Sequence, residues 1–380
     1  MKVTIICEVL GEPNNGTTVA AYNLIHHLQK QGHAVTVVCP DADKKGKEGY
    51  CVLPLTNMGP IARKFFEKNN VVLARYDEAI LKHAIEDADV VHIMVPLFIA
   101  RKTSRLVKRL DKPLTAGFHA QAENFSVQIG LKDCRFANHF IYKWYDKNVF
   151  CRADAIHYPT KFIQEIFEKE VERKTNGYVI SNGVNRIFRP GKSEKPRKYA
   201  DKFCILFTGR LSAEKSHMVL MKAVEQSRHA EQIQLFFAGK GPKYRQIKAY
   251  GEKHLFNPPV IDFYSREDLV DVINFCDLYC HPAEVEIEAI ACLEAICCGL
   301  VPLIADSPRC ATKSFAIDER SLFRVNDSRD LAQKIDYFIE HPEEKEKLRE
   351  VYLKESTAFD QEYCMHRMEE MLLEQVQRKG

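Results

Sequence analysis

Short apolar segments alternate with longer amphipathic segments along most of the chain. Near the N-terminus, KVTIICE (2–8) has the pattern of a buried strand, TTVAAYNLIHHLQKQG (17–32) has apolar residues at helical spacing, and HAVTVVCP (33–40) is again strand-like. Strand, helix and strand in this order form the βαβ unit of a parallel sheet. The pattern therefore predicts an α/β domain at the start of the chain.

The same rhythm continues, is interrupted once, and then begins again. A segment rich in Pro, Lys and Arg at 185–202 reads as a linker, and a second βαβ series starts at 203. We expect two doubly wound, Rossmann-like domains facing across a cleft, because ligands of such sheets bind at the carboxyl ends of the strands. The predicted domains are 1–187 and 188–356, with a C-terminal helix at about 357–380 packing back on the first domain.

Composition narrows the class of protein. The chain has 380 residues, is 46% hydrophobic and 28% charged, and carries a net charge of +3, which is ordinary for a globular protein and argues against a nucleic-acid partner. No apolar run reaches the ~20 residues that a membrane span needs. The thirteen cysteines show no zinc-binding spacing. We therefore expect reduced thiols in a cytoplasmic protein.

The segment HPAEVEIEAIACLEAICCGLVPLI (281–304) places four acids beside an apolar core. Glu286 directly precedes a predicted helix at 288–299, and Glu294 follows eight residues later. A carboxylate at each position can accept hydrogen bonds from neighbouring hydroxyl groups of a sugar. Glu284 and Glu288 are expected to be solvated, and a solvated helix edge remains the plain alternative for all four.

Three further positions have the chemistry of a phosphate or sugar site. In FTGRLSAEKS (207–216), Arg210 and Lys215 follow a predicted strand, where two cations can bind a diphosphate. Gly16 opens a predicted helix whose N-terminus suits a phosphate group. His119 ends a predicted strand and would face the cleft. Surface cations, an ordinary turn and a core histidine are the respective alternatives.

Cofactor and metal motifs are lacking. The first loop is neither G-x-G-x-x-G nor G-x-x-x-x-G-K-[ST], which disfavours a dinucleotide cofactor. The pairs Asp41/Asp43 and Asp87/Asp89 have D-x-D spacing, but we expect both to be solvated. The sequence predicts no metal site and no cofactor.

These motifs together resemble the retaining glycosyltransferases of the GT-B fold, family four. The resemblance rests on Glu286-x7-Glu294 followed by AICCGLVPLI, on FTGRLSAEKS, and on VISNGVNRIFRP at the domain junction, in the expected order along the whole chain. GFHAQAEN, GKGP, VEIEAIACLEA and SPRCATKSFAIDERSLF further resemble the branch containing bacterial cholesterol α-glucosyltransferase and the ceramide and other lipid α-glycosyltransferases. The family usually reads Glu-x-Phe-Gly where this chain has Glu286-Ile-Glu-Ala289.

The resemblance implies a role for each matching residue. Arg210 and Lys215 would neutralise the diphosphate of a UDP-sugar, which is a substrate and not a cofactor. Glu286 would hold hexose hydroxyls and Glu294 the ribose hydroxyls, while His119 would contact the sugar. The remaining donor-binding positions that it implies are Gly16, Gly241, Ala289 and Ile290.

The implied activity is transfer of glucose or galactose from a UDP-sugar to the hydroxyl of a sterol, ceramide or diacylglycerol with retention. Two basic segments suggest that the first domain contacts an anionic membrane surface, so we expect a peripheral protein on the inner face of the cell membrane. Their residues are Arg63, Lys64, Phe65, Phe66, Arg101, Lys102 and Arg105. A soluble or polysaccharide acceptor, a nucleotide-sugar epimerase and a non-catalytic nucleotide-binding protein remain alternatives.

Overall fold

The computed structural model describes residues 1–8, 10–11, 16–56, 73–123 and 134–379. The chain divides into two compact units, one comprising Met1–Asn182 with Glu362–Gly380 and the other comprising Gly183–Gln361. The sequence-based boundaries of 187/188 and 356/357 lie five residues from these divisions. Each unit is an α/β domain with its own parallel sheet.

In the part of Met1–Asn182 that the structure describes, the first unit contains the strands β1–β7 and the helices α1–α5. The strands are β1 (Lys2–Ile6), β2 (Ala34–Cys39), β3 (Tyr50–Val52), β4 (Val90–Ile93), β5 (Leu114–Gly117), β6 (Ala155–Tyr158) and β7 (Gly177–Val179). The helices are α1 (Gly16–Lys30), α2 (Glu78–Glu86), α3 (Ala100–Arg109), α4 (Arg135–Asn148) and α5 (Lys161–Val171).

The strand order of the first sheet is β3-β2-β1-β4-β5-β6-β7, with parallel pairing throughout. The chain winds outward from β1 to β3 and then returns to add β4 on the other side of β1. The order therefore reverses between β1 and β4, which is where doubly wound sheets open a crevice for ligands.

The second unit contains β8–β13 and the helices that connect and follow them. The strands are β8 (Phe203–Thr208), β9 (Ile233–Ala238), β10 (Val260–Asp262), β11 (Leu278–His281), β12 (Pro302–Asp306) and β13 (Leu322–Arg324). The helices are α6 (His217–Gln226), α7 (Tyr244–His254), α8 (Arg266–Phe275), α9 (Ile290–Cys297), α10 (Ser328–Glu340) and α11 (Pro342–Glu355). The sheet order is β10-β9-β8-β11-β12-β13, so this sheet reverses between β8 and β11.

The last helix, α12 (Gln361–Gln377), belongs to the first unit although it follows the second in sequence. Its Met365, Met368 and Leu372 join the core formed by β1, β2 and α1. A buried carboxylate, Glu369, accepts hydrogen bonds from His27 at 2.9 Å and His33 at 2.7 Å. Apolar burial and these two bonds hold the C-terminus against the first unit.

The prediction of two doubly wound sheets from the alternation of apolar and amphipathic segments is confirmed. The predicted ends of the helices were less accurate. The predicted helix 288–299 is shorter, at Ile290–Cys297, because the chain before Ile290 runs in a non-helical loop. All thirteen cysteines are free thiols and most are buried. Among the described residues, no helix combines the length and apolarity needed to cross a bilayer.

Candidate functional site

Two loops meet at the point where the strand order of the second sheet reverses. The first loop follows β8 and carries Arg210 and Lys215, and the second follows β11 and carries Glu284 and Glu286. The backbone N–H of Glu284 donates to the carbonyl of Glu214 at 3.0 Å, which joins the loops directly. The sheet topology therefore brings together residues about 70 positions apart in the sequence.

Lys215 and Glu286 form an ion pair at this junction. Both side chains are largely buried. Burial alone would lower the pKa of Lys215, but the neighbouring Glu286 carboxylate more than compensates and holds that pKa above its ordinary value. Lys215 therefore stays charged in a partly desolvated environment, where its ammonium group would attract an anion strongly.

Arg210 is positioned differently from Lys215. Its guanidinium donates to Glu214 at 3.1 Å, and Glu214 also accepts the hydroxyl of Ser212. The Arg210 side chain remains about half exposed. A long exposed side chain with one partner can reorient toward a phosphate group at small energetic cost.

The expectation that Glu284 and Glu288 are solvated was wrong. Their exposed fractions are 9% and 4%. The Glu284 carboxylate accepts from Arg309 at 3.0 Å, so a cation that follows β12 compensates for its burial. No local pattern in 281–304 indicated this arginine, because the pair depends on the pairing of β11 with β12.

Ala289 occupies the position where the family usually has Gly, and its backbone is left-handed, with φ 56° and ψ 65°. Left-handed geometry costs a non-Gly residue about 1–2 kcal/mol. The loop thus keeps the conformation that a glycine would favour, and α9 begins directly after it at Ile290. The N–H groups of Cys292 and Leu293 donate to the Ala289 carbonyl, so the N–H groups that the start of α9 offers to a ligand are those of Ile290 and Ala291.

Glu294 lies on α9, eight residues after Glu286 in sequence but only in the second turn of the helix. Burial raises the pKa of Glu294 to about 7, and the charge of Arg266 offsets only part of this effect. A desolvated carboxyl group of this kind gains most from new hydrogen-bond donors such as a pair of ribose hydroxyls.

Gly241 lets two backbone segments approach closely. A methyl group placed on Gly241 would lie 2.4 Å from the carbonyl oxygen of Leu211, in the loop that carries Arg210. Leu211 in turn donates its N–H to Lys240 at 2.9 Å. The glycine therefore sets the position of the Arg210 loop, which is an indirect contribution to the site.

The first unit has its own candidate residues at its point of reversal. Glu8 follows β1 and is buried, and one of its carboxylate oxygens accepts the N–H of Ile99 at 3.0 Å at the start of α3. Its other oxygen has no partner in the part of the chain that the structure describes. Burial raises the pKa of Glu8 to about 7, although three backbone N–H groups oppose the shift. The sequence reasoning missed Glu8, which resembles an ordinary residue at a strand end.

His119 lies two residues after β5 and packs edge-on to His157, with ring centroids 5.2 Å apart. Burial lowers the pKa of His119 well below its ordinary value, with smaller contributions from His157 and His92, so the ring is neutral. Its Nε2 atom is buried without a partner among the described residues. A hydroxyl group of a ligand would satisfy this atom.

The remaining predicted positions in the first unit have different outcomes. Gly16 is the first residue of α1 and is exposed. Arg101, Lys102 and Arg105 are exposed on α3, with Lys102 lying 5.1 Å above the Tyr76 ring. The apolar residues of α3, Leu106 and Val107, are buried in the domain, so this helix offers charge and not an apolar face to solvent. Arg63, Lys64, Phe65 and Phe66 lie outside the described residues.

The D-x-D pairs are not uniformly solvated as expected. Asp41 accepts the N–H of Gly11 at 2.8 Å, and its other oxygen is buried. Asp43, Asp87 and Asp89 are exposed. Asp41 therefore holds the first loop against the chain after β2.

One group of side chains in the described part of the chain could hold a metal ion. His27, His366 and Glu369 place ligand atoms within 4.8 Å of one another. Each carboxylate oxygen of Glu369 already accepts a hydrogen bond from a histidine. The cluster is therefore explained by the packing of α12 against the rest of the first unit.

Two family descriptions match the chain, one in each half. "Glycosyltransferase Family 4" matches residues 14–186 and "Glycosyl transferases group 1" matches residues 188–352. No curated protein gives a significant match.

Some solved structures share the fold over nearly the full length, and another matches only part of the chain. Sucrose-phosphate synthase from Thermosynechococcus elongatus is 16% identical, with 100% of both chains covered and a TM-score of 0.75. Anabaena HepE in complex with UDP-glucose is 16% identical, covering 98% of this chain and 100% of that chain, with a TM-score of 0.74. The catalytic domain of cholesterol-alpha-glucosyltransferase from Helicobacter pylori is 44% identical over 41% of this chain and 97% of that chain, with a TM-score of 0.40.

Proposed function

The chain belongs to the group 1 glycosyltransferases of the GT-B fold, and on that premise we propose that it transfers glucose or galactose from a UDP-sugar to the hydroxyl group of a membrane lipid. The product would be an α-glycolipid, with the anomeric configuration retained. Sterols, ceramide and diacylglycerol all present such a hydroxyl above an apolar body.

The contact between Lys215 and Glu286 carries the donor part of this proposal. It places a cation for the diphosphate beside an acid that can accept hexose hydroxyls. Arg210 lies on the same loop as Lys215, with its guanidinium exposed. UDP as the nucleotide is supported by the family motifs and by HepE, a relative in fold that was solved with UDP-glucose.

The proposed chemistry is attack on the same face from which the diphosphate departs. The bond from the anomeric carbon to the β-phosphate oxygen breaks, a bond to the lipid oxygen forms, and the hydroxyl proton passes to the departing phosphate. Negative charge grows on the phosphate during this step, so Lys215 and Arg210 would stabilise the transition state more than the ground state. Trapping a covalent sugar–protein adduct with a fluorinated donor would contradict this route.

The lipid acceptor is supported by sequence motifs and by charge. Motifs such as GFHAQAEN and VEIEAIACLEA resemble the lipid-glycosylating branch. Arg101, Lys102 and Arg105 are exposed on α3 of the first unit, where anionic headgroups would be attracted. A soluble or polysaccharide acceptor would use the same donor site and is the second candidate.

The test is a transfer assay with separate donors and acceptors. Purified protein is incubated with UDP-glucose or UDP-galactose and with liposomes containing sterol, ceramide or diacylglycerol, and lipid products are identified by mass spectrometry. We expect one donor to give a hexosylated lipid. Release of UDP without a lipid product would favour a soluble acceptor, and no turnover with any donor would overturn the proposal.

A further inference from the structure

Helix α4 exposes two large aromatic side chains on one face. Phe136 is 89% exposed and Phe140 is 69% exposed, and their spacing of four residues places them one above the other. Single exposed apolar residues are common on protein surfaces, but adjacent large ones indicate an interaction site.

The opposite face of α4 is fixed in the domain. Tyr142 and Tyr145 are buried and pack on Phe118, with ring centroids 6.2 Å and 6.1 Å apart. The exposed phenylalanines are therefore not a loosely packed part of the core. The domain holds this helix with its two rings directed away from the buried side.

The two rings share their stripe with basic side chains, and the Glu170 carboxylate, which contacts α4 next to the stripe, is paired with His139 at 2.7 Å. Helical spacing places Lys143 and Lys147 on the same stripe as Phe136 and Phe140, because residues three, four and seven apart share a face. The one acid of α4, Asp146, is paired with Arg173. The exposed stripe thus carries two aromatic rings followed by two ammonium groups, with no acid among its own residues.

A second basic helix, α3, contacts the C-terminal end of α4. The Ser104 hydroxyl of α3 donates to the carbonyl of Asn148 at the end of α4 at 2.9 Å. Helix α3 contributes the exposed side chains of Arg101 and Arg105. The basic character is therefore shared by two helices that contact each other.

We propose that the α4 stripe of Phe136, Phe140, Lys143 and Lys147 is a membrane-contacting surface that binds an anionic phospholipid bilayer. The two rings enter the boundary between headgroups and acyl chains, and the lysines lie among the anionic headgroups. This inference rests on the proposed function, because an enzyme whose acceptor is a membrane lipid must reach the bilayer. It deepens that function by naming the surface that makes the contact. It also replaces α3 as the source of apolar contact, since Leu106 and Val107 are buried.

Charge favours the bilayer over a second copy of the chain. In a two-fold contact the same patch meets itself, which would bring the lysines of both copies together in a desolvated interface. An anionic bilayer neutralises them instead. It also accepts two rings without requiring a complementary pocket.

The experiment compares Phe136→Ser/Phe140→Ser with Phe256→Ser. Phe256 is 68% exposed and lies in the second unit, so the control makes the same chemical change elsewhere. Binding to phosphatidylcholine vesicles with and without phosphatidylglycerol is measured by co-sedimentation. Transfer data for apolar side chains lead us to expect about a tenfold loss of anionic-vesicle binding per ring, while the control binds as wild type and all proteins keep the same thermal midpoint.

The single tryptophan of the chain, Trp144, gives an independent measurement because it lies on α4. On binding, its emission should shift to the blue and be quenched by lipids brominated near the headgroup. Unchanged Trp144 emission on bound vesicles, or wild-type binding by the double variant, would overturn the inference. So would a double variant that changes only from dimer to monomer and still binds vesicles.

Transfer assays separate this inference from the proposed function. A lipid product combined with unaltered vesicle binding by the double variant would refute the α4 surface alone. A different outcome would support the surface and refute the lipid acceptor. In it, the double variant no longer binds vesicles, transfers sugar to a soluble glycan at the wild-type rate, and neither protein gives a lipid product.

Discussion

Replacement of Glu294 by Gln tests the donor site through its pH dependence. The substitution keeps the shape of the side chain and removes the ionisable group. Burial raises the pKa of Glu294 from 4.5 to about 7, against the opposing charge of Arg266. The folded protein therefore binds the Glu294 proton more tightly than the unfolded chain does.

The expected effect on stability follows from linkage. A difference of this size corresponds to about 3 kcal/mol. Because the folded pKa is raised, the cost of ionisation is absent below about pH 4.5, develops as the pH rises to about 7, and stays constant above it. Glu294→Gln should therefore raise the free energy of unfolding at pH 8 by up to about 3 kcal/mol and change it little at pH 4.5, as measured by urea denaturation.

The expected effect on UDP-glucose binding has the opposite sign. Ribose hydroxyls would donate to the ionised carboxylate, so affinity in the wild type should fall as the pH drops below 7 and level off once the contribution of the ionised form, roughly thirtyfold, is lost. Glu294→Gln should lose about 2 kcal/mol of binding at pH 8, or roughly thirtyfold, since hydrogen bonds to charged groups are worth 1.5–3 kcal/mol. Its affinity should no longer vary between pH 5 and 8. Isothermal titration calorimetry without an acceptor measures both effects.

Glu252→Gln is the matched control, because Glu252 is an exposed glutamate on α7 of the same unit. It should leave stability and binding unchanged. Wild-type affinity of Glu294→Gln at pH 8, or an unaltered pH profile, would refute the assignment of Glu294 to the ribose. A variant that is no more stable than the wild type at pH 8 would refute the desolvation argument itself.

Three further substitutions test separate parts of the structure. Lys215→Ala should lower the transfer rate about 10²–10³-fold because one electrostatic contact with the leaving group is lost; a loss below about tenfold in steady-state kinetics would remove Lys215 from the reaction. Gly241→Ala should weaken UDP-glucose binding by up to about 10²-fold, since its methyl group would lie 2.4 Å from the Leu211 carbonyl and displace the Arg210 loop; unchanged affinity by calorimetry would show that the loop adapts. Glu369→Gln should lower the free energy of unfolding by about 2 kcal/mol at pH 7. Burial alone would raise the pKa of Glu369, but the hydrogen bonds from His33 and His27 keep it below its ordinary value. The stability that these bonds provide is therefore lost as the pH falls through that lowered pKa. Equal urea midpoints for the variant and the wild type at pH 7 would contradict this account.

The two sheets were predictable because apolar periodicity is a local property of the sequence. The loops after β8 and β11 could likewise be placed at a carboxyl edge before the strand order was known. The pairing of Lys215 with Glu286 was not predictable, since it depends on β8 and β11 being neighbours. The roles assigned to these residues remain predictions.

The helix α3 shows why a basic amphipathic pattern is ambiguous. Apolar positions at helical spacing can face a membrane or the core of the same domain, and in α3 they face the core. In α4, by contrast, Phe136 and Phe140 lie on the side opposite the buried residues and are exposed to solvent. Only the burial of each position distinguishes these two cases.

The acids of 281–304 have separate structural explanations, which no single reading of the segment could provide. Glu284 is compensated by Arg309 and Glu286 by Lys215, so two of them sit beside cations from other loops. Among the described residues, no cation forms an ion pair with Glu294, so its burial is uncompensated apart from the charge of Arg266 and its pKa is raised. A bound UDP-sugar would give Glu294 the hydrogen-bond partners that it lacks. Its diphosphate would have to compete with Glu286 for Lys215. We therefore expect the net gain on binding to come chiefly from the ribose end, which makes the pH dependence of Glu294 the more sensitive test of the site.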